Sequence, residues 1–446
     1  MFKDEEEKLA TWKQSIEQTD IPFDKLDQAI KLGYDRAKKE KSNRRRKIQK
    51  QSFLSIAAAA VLFLVLITSI RVSPAFAQAV ASIPGMEKLV AIVSDNKGLQ
   101  AAIKNDYYQP VGVTETKDGI SVTLDGIIGD DTGMVLFYTI DSYNSQNGQI
   151  ESLTVLDEHS NETLPIGTIS YSLDSALNGF TTATIQWKEK IKSQNLLLSF
   201  NIKKGTEIQT IDIPFTYKDL GKEGKIYSLN ETVEVKDQKI TVDSVTINPL
   251  STEIKVKFDP ENTMKIFGFE DLRIANQSGE IWSSIQNGVT ASHISDNEVI
   301  YYLQSNYFDQ AKNLTLYFNK IMALDKDQTE LVLDTERKEI LKQPEDNRYE
   351  LIDIVNGDIV NDGDPGNKKS IVFKFRNEKG FKHFPFSEAK DADGKNFNGF
   401  SSWQTTGREY GDWGLELPDE PYKNPLTYKL TAHPNWIYGD VKIKLK

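Results

Sequence analysis

The chain of 446 residues is 39% hydrophobic and 27% charged, as in ordinary folded protein, and its length allows about three domains. It has no cysteine and four histidines, which excludes disulfides and any His/Cys zinc spacing. Its formal net charge of −11 is unevenly placed: residues 1–51 carry 14 Lys and Arg against 10 Asp and Glu, leaving 40 against 55 for the rest, net −15, which argues against nucleic acid as a partner there.

Residues 1–40 read as two short helices. Leu9, Trp12 and Ile16 fall on one face of the first; Phe23, Leu26 and Ile30 form a stripe on the second. Acids crowd the start of the first helix and bases the end of the second, as helix dipoles favour. Two such helices enclose little core. Either the stripes cover one another in a loosely ordered tail, or a partner completes them as in helix-in-groove recognition. On the second reading these six apolar residues are the partner-binding set.

Residues 52–70, SFLSIAAAAVLFLVLITSI, hold no charge, Pro or Gly. About 18 such residues at about 1.5 Å each span a hydrocarbon core, and in lipid such a segment must be helical. Arg44, Arg45, Arg46 and Lys47 dominate a basic run before it, while only Arg71 follows until Lys88. That asymmetry places residues 1–51 in the cytoplasm, 52–71 as a single-pass transmembrane helix, and the remainder outside the cell membrane. Ala75-Phe76-Ala77 resembles a signal-peptidase site, but about 50 residues precede the apolar run, so an uncleaved anchor is expected. The basic run itself is read as a topology signal in contact with anionic lipid.

Residues 72–106 continue as juxtamembrane helices: Met86, Leu89, Val90 and Val93, then Leu99, Ala102 and Ile103, recur at helical spacing. Packing against the first outer domain is expected, since the polar face has few Lys or Arg for a membrane surface. Here a resemblance emerges. Ile21-Pro22 with KLDQAIKLGYDRAKKEK, the apolar helix and RVSPAFAQAVASIPGMEKLV together resemble the amino-terminal region of a large family of Gram-positive single-pass membrane proteins. Members are often labelled as domains of unknown function. Many are encoded beside extracytoplasmic-function sigma factors and proposed as their anti-sigma factors. The match covers about residues 20–140. It implies that the inner segment holds a cytoplasmic protein partner, a sigma factor. The His-x3-Cys-x2-Cys zinc pattern of many anti-sigma domains is absent here, so that contact would be metal-free.

From about Gly112 the pattern changes to period two, with Gly and Asp turns. Phrases recur. KDGISVTLDGIIGDDTGMVLFYTI at 117 answers KDQKITVDSVTINPLSTEIKVKFD at 236. NLLLSFNI at 195 answers NLTLYFNKI at 313 and LTYKLTA at 426. Offsets near 113–119 residues are long enough for each repeat to bury its own core, so tandem domains are expected. The expectation is a mostly β protein with three tandem extracellular β-sandwich (immunoglobulin-like) domains at 107–219, 226–343 and 348–446, and a short helix near 307–312.

No catalytic motif stands out. His159, His293, His383 and His433 are scattered, and nothing pairs them with a nucleophile. Asp391-Ala-Asp393-Gly394 resembles the start of a calcium loop, but its repeat counterparts at Asp157 and Asn276 are polar hairpin turns without a shared ligand set. Residues 361–367, NDGDPGN, offer closely spaced oxygen ligands for calcium, but such a loop is more often a solvated turn. Trp403, Trp413 and Trp436 with Tyr410, Tyr438, Phe397 and Phe400 form either an aromatic platform for sugar rings or core. The expected function is membrane-anchored regulation or sensing without catalysis, cofactor or metal. The alternative is a cell-surface module binding wall polymer or protein.

Overall fold

The computed structural model describes residues 3–17, 89, 93–142, 148–171, 179–204, 207–284, 290–356, 369–376, 381, 383–398, 402–404, 410–418 and 420–446. The chain divides into two compact units, Met1–Arg71 and Val72–Lys446. In the first, helix α1 (Lys3–Glu17) carries Asp4, Glu5 and Glu6 in its first turn. The second amphipathic stripe, the basic run and residues 52–70 lie outside the described residues. Among the described residues no helix is long and apolar enough to cross a membrane.

Among the described residues of the second unit, the first named element is α2 (Lys97–Lys104), and the rest are mostly β. Its first eight strands are β1 (Gln109–Lys117), β2 (Ile120–Gly129), β3 (Gly133–Ser142), β4 (Gly148–Asp157), β5 (Ile166–Tyr171), β6 (Gly179–Trp187), β7 (Asn195–Lys204) and β8 (Glu207–Thr216). One sheet runs β1-β2-β3-β6-β5 and a second β4-β7-β8. Alternation decides the faces: Ile120, Val122 and Leu124 of β2 point to the same core as Leu196, Leu198 and Phe200 of β7. The two sheets therefore enclose one core.

Nine strands follow: β9 (Lys225–Val235), β10 (Gln238–Ile247), β11 (Ser251–Phe258), β12 (Met264–Phe269), β13 (Arg273–Asn276), β14 (Ile281–Trp282), β15 (Thr290–Ser295), β16 (Glu298–Gln304) and β17 (Leu314–Asp325). The sheet β9-β10-β11-β16-β15 repeats the order of β1-β2-β3-β6-β5. Both copies begin with a two-residue hairpin whose turn residues have positive φ, Asp118-Gly119 in one and Lys236-Asp237 in the other. That backbone matches the twist of the flanking strands. The segment at 307–312 is irregular rather than helical. Its apolar members are held elsewhere, Tyr307 against the second core and Phe308 against Tyr107.

The remaining strands are β18 (Glu330–Asp334), β19 (Glu339–Lys342), β20 (Tyr349–Asn356), β21 (Lys369–Arg376), β22 (Phe386–Lys390), β23 (Asn396–Asn398), β24 (Ser402–Gln404), β25 (Tyr410–Glu416), β26 (Leu426–Leu430) and β27 (Trp436–Lys444). They do not divide at the polar stretch 342–347, where sequence places the linker between the second and third domains. β18 and β19 join the sheet β19-β18-β26-β22-β23, facing β20-β21-β25-β24. β27 instead pairs with β17, from Thr315↔Lys444 to Met322↔Trp436. In the first sheet pair β8 occupies this place beside β7. The second and third pairs have thus exchanged their last strands. The cause lies in β17. Leu314, Leu316 and Phe318 near its start pack in the second core, while Met322 and Leu324 near its end pack in the third. The chain leaving β17 is already at the third core, so β18 is laid down there, and β27 returns Ile437, Val441 and Ile443 to the second.

Candidate functional site

The most unusual chemistry lies where α2, the first sheet pair and the second meet. Asn96 caps α2, its side chain accepting from the Leu99 N–H at 3.0 Å. The buried face is Gly98, Leu99, Ala102 and Ile103. It packs with Ile128, Val135 and Phe137 of the first sheet pair and with Leu250 of the second. This explains the unbroken apolar run in β3: one face serves its own core and the other serves α2. Sequence led us to expect residues 72–106 to pack on the first β domain, and α2 packs on two sheet pairs at once.

Polar contacts fix the helix to the second pair. The Lys97 N–H donates to Gln304 Oε1 at 3.1 Å, and Gln304 Nε2 donates to the Asp95 and Ser284 carbonyls at 3.1 and 3.0 Å. Lys97 Nζ lies 3.6 Å from Glu280. Gly98 is required by proximity: a Cβ there would stand 2.8 Å from the Ser305 backbone nitrogen.

Beneath this contact is a buried carboxylate. Asp130, in the β2–β3 turn, accepts through Oδ1 from the Thr132 N–H (2.8 Å), the Thr132 hydroxyl (2.7 Å) and the Gly133 N–H (3.1 Å). Its Oδ2 reaches across to the second pair and accepts from the Leu250 N–H at 2.8 Å. Burial pushes the Asp130 carboxyl up, against the lowering effect of these hydrogen bonds. Half-buried Glu253 on β11 is pushed up to about 7, by burial first and the Asp130 charge second. Burial and then Glu253 push Tyr302 on β16 up to about 12. Tyr107, just beyond α2, is pushed up to about 12 by burial and then by Tyr307, Asp130 and Asp219. Lys222 Nζ lies 5.0 Å from the Tyr107 ring centroid.

Asn248, Ser251, Thr252, Ser305 and Asn306 are also buried around this joint. The Ser305 hydroxyl donates to the Asn248 carbonyl, and Thr252 Oγ1 to Asn306 Oδ1 at 3.4 Å. Among the described residues, Asn248 Nδ2, Asn306 Nδ2 and the Tyr107 hydroxyl are buried with no hydrogen-bond partner. Such groups cost free energy in a closed joint, typically about 1–3 kcal/mol each. The seam therefore combines apolar packing with buried titratable and polar groups. Sequence reading missed Asp130 and Glu253, because Gly-Asp-Asp-Thr-Gly at 129–133 looks like any hairpin turn.

Of the expected partner-binding residues, Leu9 and Trp12 lie on α1 with 68% and 74% of their surfaces exposed, and Ile16 is in the same helix. Phe23, Leu26, Ile30, Arg44, Arg45, Arg46 and Lys47 lie outside the described residues, as do residues 361–367. Among the described residues no group of three or more His, Asp or Glu could hold a metal. The Asp391 carboxylate accepts backbone N–H groups of Asp393, Lys395 and Lys423 at 2.9–3.1 Å, and Asp393 pairs with Lys423 at 2.7 Å, which makes a hairpin turn. Asp157 and Asn276 close the corresponding turns of the other pairs in the same way. Trp413 and Phe397 are in the third core, while Tyr438 is 59% exposed. His433 is fully buried, its Nε2 3.1 Å from Asp346 Oδ2, where the chain crosses from β26 to β27.

Two family models match parts of the chain. A domain of unknown function (DUF4179) matches residues 45–142, and a family of unknown function (DUF5643) matches residues 224–353. No curated protein matches. Among solved structures, the crystal structure of the conserved domain protein from Bacillus anthracis aligns with 12% identity, covering 53% of this chain and 84% of that one, at a TM-score of 0.36.

Proposed function

We propose that this chain is a membrane-anchored regulatory protein that couples an outer β region to a partner held by its inner segment. In this reading residues 1–51 lie in the cytoplasm, residues 52–71 cross the membrane once, and the outer region comprises three β-sandwich units of immunoglobulin type, without catalysis. The partner is a cytoplasmic protein, a sigma factor, and the chain its anti-sigma factor in a Gram-positive cell. The observation that carries the reading is the clamping of α2. The stretch that follows the apolar run in sequence is gripped by two sheet pairs, so a rearrangement between those pairs must move it. In support, one family model runs from residue 45 through the apolar run and α2 into β3.

The test is capture of a sigma factor by the full-length chain in detergent micelles. Trp12→Ala and Leu26→Asp should each weaken capture about ten- to a hundredfold, since buried Trp and Leu anchors contribute a few kcal/mol. Arg44, Arg45 and Arg46 changed to Gln should disturb insertion and spare capture. Unchanged capture in both stripe variants overturns the reading.

A further inference from the structure

We infer that the joint between the first two sheet pairs is a proton-operated clasp on α2: it closes while Glu253 is protonated and loosens when that carboxyl ionises. Glu253 lies on β11, opposite Thr246 of β10 and Tyr302 of β16. Its neighbours Thr252 and Ile254 are fully buried, Ile254 in the second core, so alternation turns Glu253 to the other face of the sheet. Along that face burial deepens toward the first sheet pair. The Lys257 and Lys255 side chains are 45% and 36% exposed, and at Glu253 burial becomes the main influence on the carboxyl. Three residues before Glu253, the Leu250 N–H donates to Asp130 Oδ2 of the first pair, and the Leu250 side chain packs with Ile128, Val135 and Phe137. The first pair therefore covers this end of β11, and the same contact holds α2.

The surroundings give an ionised Glu253 no support. Among the described residues its carboxyl has no ion pair and no hydrogen bond. The cations around the joint are engaged elsewhere. Lys255, two residues along β11, is held by Glu298 at 2.8 Å and Asp243 at 3.9 Å. On the first pair, Lys190 is held by Asp131 at 2.6 Å and by Asp219 at 3.2 Å. On α2, Lys97 lies 3.6 Å from Glu280, and Lys104 is exposed. Lys222 lies over the Tyr107 ring. Tyr302 and Tyr107 are pushed up to about 12, and burial also pushes Tyr217 up, so these phenols stay neutral. Asp130 takes its four hydrogen bonds for itself. A charge on Glu253 is thus buried, unpaired and beside another acid.

Linkage sets the direction. In the closed joint burial, then the Asp130 charge, raise the Glu253 carboxyl from 4.5 to about 7. Hydrated in a loosened joint, it returns toward 4.5. The contribution of Glu253 to closure is therefore fully present below about 4.5 and is lost as pH rises through about 7. Between those limits one proton is released on opening, which favours the open joint by up to about tenfold per pH unit. Protons hold the clasp on α2, and alkaline conditions release it. The inference deepens the regulatory reading by naming a stimulus, and it rests on that reading only for the step from α2 to the inner segment.

The test is hydrogen exchange of the full-length chain in detergent micelles, without any partner, from pH 5 to pH 8, corrected for the intrinsic pH dependence of exchange. Protection of α2 and of the segment holding Leu250 should fall by about tenfold or more over this range, while the central strand β7 keeps its protection. Glu253→Gln should retain at pH 8 the protection it has at pH 5. Asp130→Asn, which keeps an acceptor and removes the neighbouring charge, should move the fall to lower pH without touching Glu253. The exposed control Glu234→Gln should behave like the parent. Three outcomes overturn the inference: protection of α2 that does not change with pH, an undiminished fall in Glu253→Gln, or a fall shared equally by β7, which would be unfolding of the whole region. Sigma-factor capture is read from the Trp12 and Leu26 variants and closure from exchange, so either can fail alone.

Discussion

Asp130 and Glu253 carry opposite risks for the same joint. Asp130→Ala would strand the N–H groups of Leu250 and Gly133 and both donors of Thr132. It should destabilise the β region by about 2–4 kcal/mol in urea denaturation, while Asp130→Asn, which keeps an acceptor, should cost less. Glu253 sets a pH dependence. Its folded-state pKa is raised from 4.5 to about 7, so its contribution is fully present below about 4.5 and is lost as pH rises through about 7. The melting temperature of the full-length chain should therefore fall between pH 6 and pH 8, by an amount on the order of 1–3 kcal/mol in stability. Glu253→Gln should flatten that fall, and a slope unchanged in this variant would remove Glu253 from the joint. Neither residue was legible in the sequence, because a carboxylate in a turn and a Glu on an alternating strand look solvated until a second sheet pair is laid over them.

At the scale of elements, the hairpins and alternations were legible and the partners of the strands were not. Lys-Asp-Gly at 117–119 and Lys-Asp-Gln at 236–238 announce their turns through residues that tolerate positive φ, and the strands on either side follow. α2 was legible from Leu99, Ala102 and Ile103. β27, WIYGDVKIK, alternates like any last strand, and nothing local says that its register partner lies more than a hundred residues back on β17. The exchange makes a sharp expectation. Fragment 226–343 leaves one edge of β17 bare and carries β18 and β19 without β26, so it should be largely unfolded by circular dichroism. Fragment 226–446 should be a stable β protein. Deleting residues 436–444 from the full chain should make the second and third cores protease-sensitive together, because Ile437, Val441 and Ile443 leave one and Trp436 the other. A folded 226–343 fragment would rule the exchange out.

At the scale of the molecule, the proposed topology has its own check. Protease added to wall-stripped cells should digest residues beyond 72 and spare the amino-terminal segment, whereas a soluble product beginning at Gln78 would indicate a cleaved leader. If the outer region is delivered across a membrane amino-terminus first, the strand exchange imposes a timetable on it. The first sheet pair can close as soon as β8 arrives, but β17 must wait with one edge open while roughly a hundred further residues emerge. An open central strand is a template for unwanted pairing. A ribosome that stops early, or a protease that trims late, would thus leave a molecule visibly unfinished at its middle rather than only at its tip.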